Sequence, residues 1–373
     1  MISSPRKIDV ISEGYFLTQP DEKGGCPRNC RITLLPNNTL VVSVIFNLGV
    51  GTGLIYSRVF SSKDFGKTWK SLGMMCDWSK SEKEYSERLN ISRTPHGKLL
   101  ALGMLYETPA AGTTYYARET GGAADTSLFF TTSDDEGITW SQPQIIAMCY
   151  PEPPEVGGVI CATRQGRWLA PFAPWLDRHG SWPNRGKAAV MISYDRGKTW
   201  TSSAAFLSDP SGTVRFQEVW VEELSDGRVV GIGWQQERSG DRDYPNAYSI
   251  SLDGGESFGP TLSTGLMGQA VAMRALEGGR VAVVYNRRHE NPGVGLAIAR
   301  PDHRGFNVEF DGLAWSAQSG FRGEVKDEEA IFWADFSFGE PAVEVLPDGS
   351  FFVVFWCHEK NVQGSRYCHV RLV

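Results

Sequence analysis

One octet constrains this chain more than any other feature. The pattern S-x-D-x-G-x-[ST]-[WF] occurs at 62–69, 133–140, 193–200 and 251–258, and a degraded copy follows at 300–306. Its logic is local: Asp accepts backbone N–H bonds across a tight turn, Gly supplies a positive φ, and the aromatic plugs the turn from beneath. Such an octet closes a β-hairpin and does no chemistry. Recurrence at long spacing means a chain assembled from repeated supersecondary units.

A second repeat runs in phase with the first. Six segments read apolar strand, two-residue turn, apolar strand: 32–46 around Asn37-Asn38, 89–105 around His96-Gly97, 159–172 around Gln165-Gly166, 219–234 around Asp226-Gly227, 271–285 around Gly278-Gly279, and 342–356 around Asp348-Gly349. Turns of this type between apolar runs are hairpin signals. Asn38 and the turn glycines recur at intervals of 59, 69, 61, 52 and 70 residues. Each unit is therefore a hairpin, a third strand, an octet turn and a fourth strand. Six such units predict an all-β, six-bladed β-propeller of four-stranded antiparallel blades, a single domain over 1–373. The last unit shows only three strands, and Lys7 to Phe16 would supply the fourth and close the ring.

Composition narrows the partners. A net charge of −6 offers no basic field for nucleic acid or an anionic membrane. No apolar run is long enough for a membrane-spanning helix. The N-terminus lacks a basic-then-apolar leader, which reads as cytoplasmic, or as secreted or periplasmic if a leader has been removed. The seven cysteines, odd in number and scattered, read as free thiols, and none pairs with His at zinc-ligand spacing. No metal or cofactor is expected.

The octets, the six-fold repeat and the segment Arg28–Leu40 (RNCRITLLPNNTL) resemble the sialidase (neuraminidase) superfamily. The resemblance implies a substrate carboxylate held by three arginines, an Asp acid, and a Tyr nucleophile activated by a Glu. It also covers exo-arabinanases, uronate lyases and non-enzymatic propellers of the same fold. Counted from the hairpin turns, Arg28 stands at the first arginine, ten positions before Asn38, and Glu218 at the Glu, nine before Gly227. The second arginine position holds Trp234, with Arg238 nearest to it. Glu340 stands where the Tyr is expected, and Asn47 to Gly53 contains no Asp.

Independently of the resemblance, residues nine to ten before each turn, and seven to nine after it, converge on one mouth of a propeller channel. They are Arg28, Glu87, Arg88, Glu218 and Glu340, with Glu155 a step outward, joined by Asn286, Arg287, Arg288, Trp234, Trp356 and His358. Acids and arginines in one concave mouth suit glycan cleavage: one carboxylic acid protonates the glycosidic oxygen while another acts as nucleophile or base. Arginines clamp carboxylates or hydroxyls, and Trp faces stack on sugar rings.

The expectation is an exo-acting glycoside hydrolase with Glu218 and Glu340 as its pair. Arg28, Arg88, Arg287, Arg238, Glu155, Trp234, Trp356 and His358 would bind an oligosaccharide or polysaccharide. A Glu in place of Tyr favours a substrate without a carboxylate on its anomeric carbon. The alternatives are a lyase acting on a uronate-containing glycan, or a non-catalytic propeller binding glycan or protein. The irregular stretch 108–126 reads either as a lid over that mouth or as a surface loop.

Overall fold

The computed structural model describes residues 7–47, 54–108, 115–117, 119–288, 291–317, 338–359 and 362–373. Six antiparallel sheets stand as blades, and each runs outward from its innermost strand in chain order. Strand β1 (Ile8–Leu17) comes first in the chain but belongs to the last blade. Blade 1 holds β2 (Cys26–Leu34), β3 (Leu40–Asn47), β4 (Ile55–Ser62) and β5 (Lys70–Met74). Blade 2 holds β6 (Tyr85–Arg93), β7 (Leu99–Glu107), β8 (Ser127–Ser133) and β9 (Gln144–Ile145). In blade 3 the inner strand is broken into β10 (Pro154–Glu155) and β11 (Cys161–Ala162), followed by β12 (Trp168–Pro174), β13 (Lys187–Ser193) and β14 (Ser202–Ser208). Blade 4 is β15 (Val214–Glu223), β16 (Val229–Glu237), β17 (Asp243–Ser251) and β18 (Leu262–Met267). Blade 5 is β19 (Gln269–Leu276), β20 (Arg280–Arg287), β21 (Gly293–Pro301) and β22 (Phe306–Ser316). Blade 6 is β23 (Phe338–Val345), β24 (Phe351–Glu359) and β25 (Val362–Leu372), closed on its outer edge by β1.

Both faces of a blade meet a neighbouring blade, so the second strand of a blade reads as a nearly continuous apolar run and not as an alternating one. Every residue of β3 and β12 is buried. The core is correspondingly inter-blade: Phe352 and Val354 of blade 6 pack with Ile32, Val42 and Phe46 of blade 1.

The octets behave as their chemistry requires. Ser62 Oγ donates to Asp64 Oδ1 (2.8 Å) and accepts from Gly66 N (2.8 Å), while Asp64 takes the Thr68 N–H (2.9 Å) and hydroxyl (2.6 Å). Trp69 Nε1 then donates to Gly66 O (3.1 Å). Gly66 has φ +87°, and a Cβ there would stand 2.3 Å from Phe352 of the preceding blade. The octet glycine thus serves the turn and the blade-to-blade seam together.

Candidate active site

The channel wall is organised by distance from each hairpin turn. Nine positions before it stand Asn29, Arg88, Gly157, Glu218, Ala270 and Glu340. At this level β2, β15, β19 and β23 each carry one extra residue: the ladder passes from Pro27↔Phe46 to Cys30↔Val44, and from Gln217↔Trp234 to Trp220↔Ile232. These are β-bulges, which re-aim side chains beside the break. Glu218, Ala270 and Glu340 take φ of 48°, 46° and 47°, a left-handed conformation costing of order 1–3 kcal/mol per non-glycine residue. The strain recurs where the acids stand.

Seven positions before the turn, Arg31 and Asn90 form the level beneath. Arg31 is buried and held from several sides. Its Nε and Nη2 donate to Gly157 O (2.9 and 2.7 Å) and its Nη1 to Glu340 O (3.1 Å). From there Nη2 lies 3.4 Å from Glu340 Oε2 and 3.7 Å from Glu218 Oε2. One guanidinium therefore stands between the two acids. Asn90 Nδ2 donates to Val156 O (3.1 Å) and Gly158 O (3.0 Å), fixing the gap between β10 and β11. That gap must be glycine: a Cβ on Gly157 would stand 2.5 Å from Glu218 Oε2, and one on Gly158 2.5 Å from Val219 O.

The acids differ in their partners. Glu340 accepts from Asn29 Nδ2, Arg31 Nη2 and Arg88 Nη2, the last at 3.4 Å. Glu218 Oε2 is buried and has no hydrogen-bond partner among the described residues. Burial, and then the charges of Glu340 and Glu155, push the Glu218 carboxyl well above its usual range. Glu155 Oε2 accepts the Glu218 backbone N–H (3.0 Å), and burial raises its own carboxyl to about 7. Burial alone would lower the Arg88 guanidinium, but Glu340 and Glu218 outweigh it and hold it above its usual range. Arg88 also feels Tyr116, which the strand-like bridge Tyr116↔Ala123 and the bridge Ala123↔Asp177 tie against blade 3. Of the stretch 108–126, residues 109–114 and 118 lie outside the described residues; Tyr115, Ala123 and Ala124 are buried against Tyr106.

The structure brings Glu218, Glu340, Arg88 and Glu155 into one cluster. The other sequence-derived candidates stand apart from it. Arg28 lies at the rim between blades 6 and 1, where its carbonyl accepts from Ser365 Oγ (2.9 Å) and its guanidinium faces the Gln363 amide. Trp356 lies across Gly339 and His358 lies near Arg28. Trp234 is buried and donates to Asp243 Oδ1 (2.8 Å). Arg287 is taken up within its own blade by Asp311 (2.7 Å) and the Tyr285 hydroxyl (2.7 Å). Arg238 is exposed in the turn after β16. Glu87 faces blade 1, accepting from Ser57 N (3.0 Å) and Trp78 Nε1 (3.1 Å). The Asp-free segment after Asn47 lies outside the described residues.

Arg31, Asn29, Asn90 and Tyr116 were not singled out from the sequence. Arg31 and Asn90 carry a usable signal, since they stand two positions closer to the turn than the acid level and so on the same strand face. One level deeper, Arg274 bridges Glu222 and Glu344 (3.3 Å each) as a buried ion triad.

The chain is a sialidase-like six-bladed β-propeller with an acid–arginine cluster in its channel mouth. No protein-family model matches it. Over 134 residues, 35% of the chain, it is 34% identical to a sialidase of Micromonospora viridifaciens, a stretch spanning 19% of that protein. Among solved structures it is similar to a protein of unknown function from Dyadobacter fermentans, with a TM-score of 0.75 at 19% identity over 98% of this chain and 99% of that one. It is also similar to a Penicillium chrysogenum α-L-arabinanase complexed with arabinobiose, with a TM-score of 0.64 at 14% identity over 98% and 99% of the two chains. A mutant Streptococcus pneumoniae sialidase aligns with a TM-score of 0.61 at 15% identity over 95% of this chain and 70% of that one.

Proposed function

We propose that this propeller is an exo-acting glycoside hydrolase in which Glu218 is the proton donor and Glu340 the nucleophile or base. The observation that carries the reading is the Arg31 guanidinium set between Glu340, acceptor to several donors, and Glu218, whose Oε2 has none. A carboxyl pushed well above its usual range keeps its proton near neutrality and can deliver it to a glycosidic oxygen. Glu340, acceptor to Arg31, Arg88 and Asn29, is the carboxylate that attacks the anomeric carbon or activates water. Glu155 holds the Glu218 backbone N–H, and its charge helps to raise the Glu218 carboxyl. A glycan substrate agrees with the arabinobiose-bound neighbour, and a chain-end mode with a site at a channel mouth.

A panel of aryl glycosides and oligosaccharides with product analysis tests the reading. Turnover with release of a terminal sugar is expected. Glu218→Gln and Glu340→Gln should each lower kcat by roughly 10²–10⁴ while leaving the far-ultraviolet circular dichroism unchanged. Ultraviolet absorbance from an unsaturated uronate would transfer the site to lyase chemistry, and full activity in either variant would remove the pair.

A further inference from the structure

Beyond the acids themselves, one chain of hydrogen bonds runs along the mouth through blades 4, 5 and 6. It starts at Gln217, whose Nε2 donates to Gln236 Oε1 (3.0 Å). Gln236 Nε2 in turn donates to Asp243 Oδ1 (3.1 Å), which also takes the Trp234 indole N–H (2.8 Å). The second oxygen, Asp243 Oδ2, accepts from Gln269 Nε2 (2.7 Å), and the chain crosses there from β17 of blade 4 to β19 of blade 5. Gln269 Oε1 accepts from Arg288 Nη1 (2.8 Å). Arg288 Nη2 donates to the Phe338 carbonyl, at the start of β23 in blade 6.

The direction of these links is forced by chemistry. A guanidinium only donates and a carboxylate only accepts, so Gln269, set between Arg288 and Asp243, must turn its oxygen to one and its N–H to the other. Gln236 is oriented the same way: its Oε1 accepts from Arg215 Nε (2.8 Å), which leaves its Nε2 toward Asp243. The chain also meets the strained positions of the channel wall one by one. Gln217 immediately precedes Glu218, Gln269 immediately precedes Ala270, and Phe338 stands two before Glu340; these are the three residues of the acid level with positive φ. The ladders break at the same points, after Gln217, after Gln269 and after Gly339. A non-glycine residue keeps a left-handed backbone only where its surroundings over-determine it. Tying the entry to each bulge supplies that constraint.

We infer that Asp243 and Gln269 are positioning residues: the chain they centre fixes where β15, β19 and β23 enter their bulges, and with that the separation of the Glu218 and Glu340 carboxyls. Both act through the backbone and not on a substrate atom. The kinetic consequence rests on the glycan-cleaving reading above, whereas the carboxyl separation stands on the hydrogen bonds alone. With the chain cut, Arg31 still faces both acids, but Glu218, set among Glu340, Glu155, Arg31 and Arg88, is free to draw back from Glu340.

The test reads the Glu218 carboxyl directly. The full chain carries ¹³C at its glutamate δ-carboxyls, with the Glu218 resonance assigned by its loss in Glu218→Gln. Gln269→Met keeps the side-chain length and removes both bonds; Asp243→Asn keeps the shape and leaves one acceptor oxygen. In each variant the Glu218 titration midpoint should fall, because its rise comes from burial and then from the charges of Glu340 and Glu155, and Glu340 recedes. On a glycoside that the panel shows to be cleaved, kcat should fall by about 10²-fold with KM within about twofold. The double variant should lose no more than the worse single one. Gly227→Ala, in the far turn of blade 4, should leave midpoint and kcat unchanged and so separates positioning from lost stability. An unmoved midpoint in both variants, additive losses in the double, or equal effects from Gly227→Ala would overturn the inference. Absence of turnover in the unaltered chain, with the midpoint still moving in the variants, would remove the hydrolase reading and leave the positioning role standing.

Discussion

Arg31 touches a backbone carbonyl of blade 3, a backbone carbonyl of blade 6 and both acids at once, so four of the six blades are registered by one side chain. Removing it would leave Glu340 and Glu218 close together without the cation between them. Arg31→Lys should therefore cost activity at least ~10²-fold despite the retained charge, because an ammonium cannot donate to Gly157 O and reach both carboxylates; kcat/KM measurements check this. Gly157 is the complementary case. Gly157→Ala drives a methyl into Glu218 Oε2 and to 2.6 Å from the Glu218 Cα, so kcat should fall by more than tenfold and the melting temperature should fall with it. Counting from a turn placed Glu218 and Glu340 because the turn is local. It placed Arg28 and not Arg31 beside the acids because the extra residue between Pro27 and Cys30 reverses which side of the strand faces inward, and nothing local in the sequence announces it. Arg287 was illegible for another reason: its partner Asp311 lies two strands away.

At the scale of an element, the octet turns and the plain hairpin turns use glycine differently, and the difference is measurable. Gly197 has φ +85°, and a Cβ would meet Trp168 at 2.5 Å; Gly227 has φ +91° with nothing within 4 Å. Gly227→Ala pays only the left-handed penalty, about 1–2 kcal/mol. Gly197→Ala adds overpacking against Trp168 of its own blade and Phe130 of blade 2, about 1–3 kcal/mol more. Urea unfolding of the two variants should show that order, and equal losses would mean the octet glycine serves its turn alone. The octet aspartates also set an acid limit. Asp64, Asp135, Asp195 and Asp253 are each lowered to about 2 from 3.8, with hydrogen bonds from the octet Ser and Thr or Ser residues overcoming any burial. Depressed carboxyls add stability that is complete above pH 3.8 and lost as pH falls through about 2. Replacing all four by Asn should flatten the melting-temperature profile across that window. These turns were readable from sequence since each closes within eight residues, whereas the placing of Tyr116 depends on a bridge to the blade 3 loop that no local pattern encodes.

For the whole molecule the decisive bond is between the two ends of the chain. Strand β1 pairs with β25 from Ile8↔Leu372 to Leu17↔Ser365, and Lys7 and Val373 exchange backbone bonds of 3.1 Å. That pairing completes blade 6, and blade 6 is what carries Glu340 to Arg31 of blade 1. The same blade brings Gln363 and Ser365 to Arg28. A propeller without its closing strand leaves β25 as an open edge and the seam between first and last blades unsupported. Tyr15, Phe16 and Leu17 would also leave the inter-blade cores they pack against. Deleting residues 1–17 should therefore lower stability by roughly 3 kcal/mol or more and abolish activity. A synthetic peptide of residues 7–17 added to the truncated chain should restore both, since β1 is continuous in sequence and makes its ladder with one strand alone. Calorimetry with and without the peptide reads the result: a truncated chain as stable and active as the full one would show that the ring holds its site without closure, and rescue by the peptide would show that closure builds it.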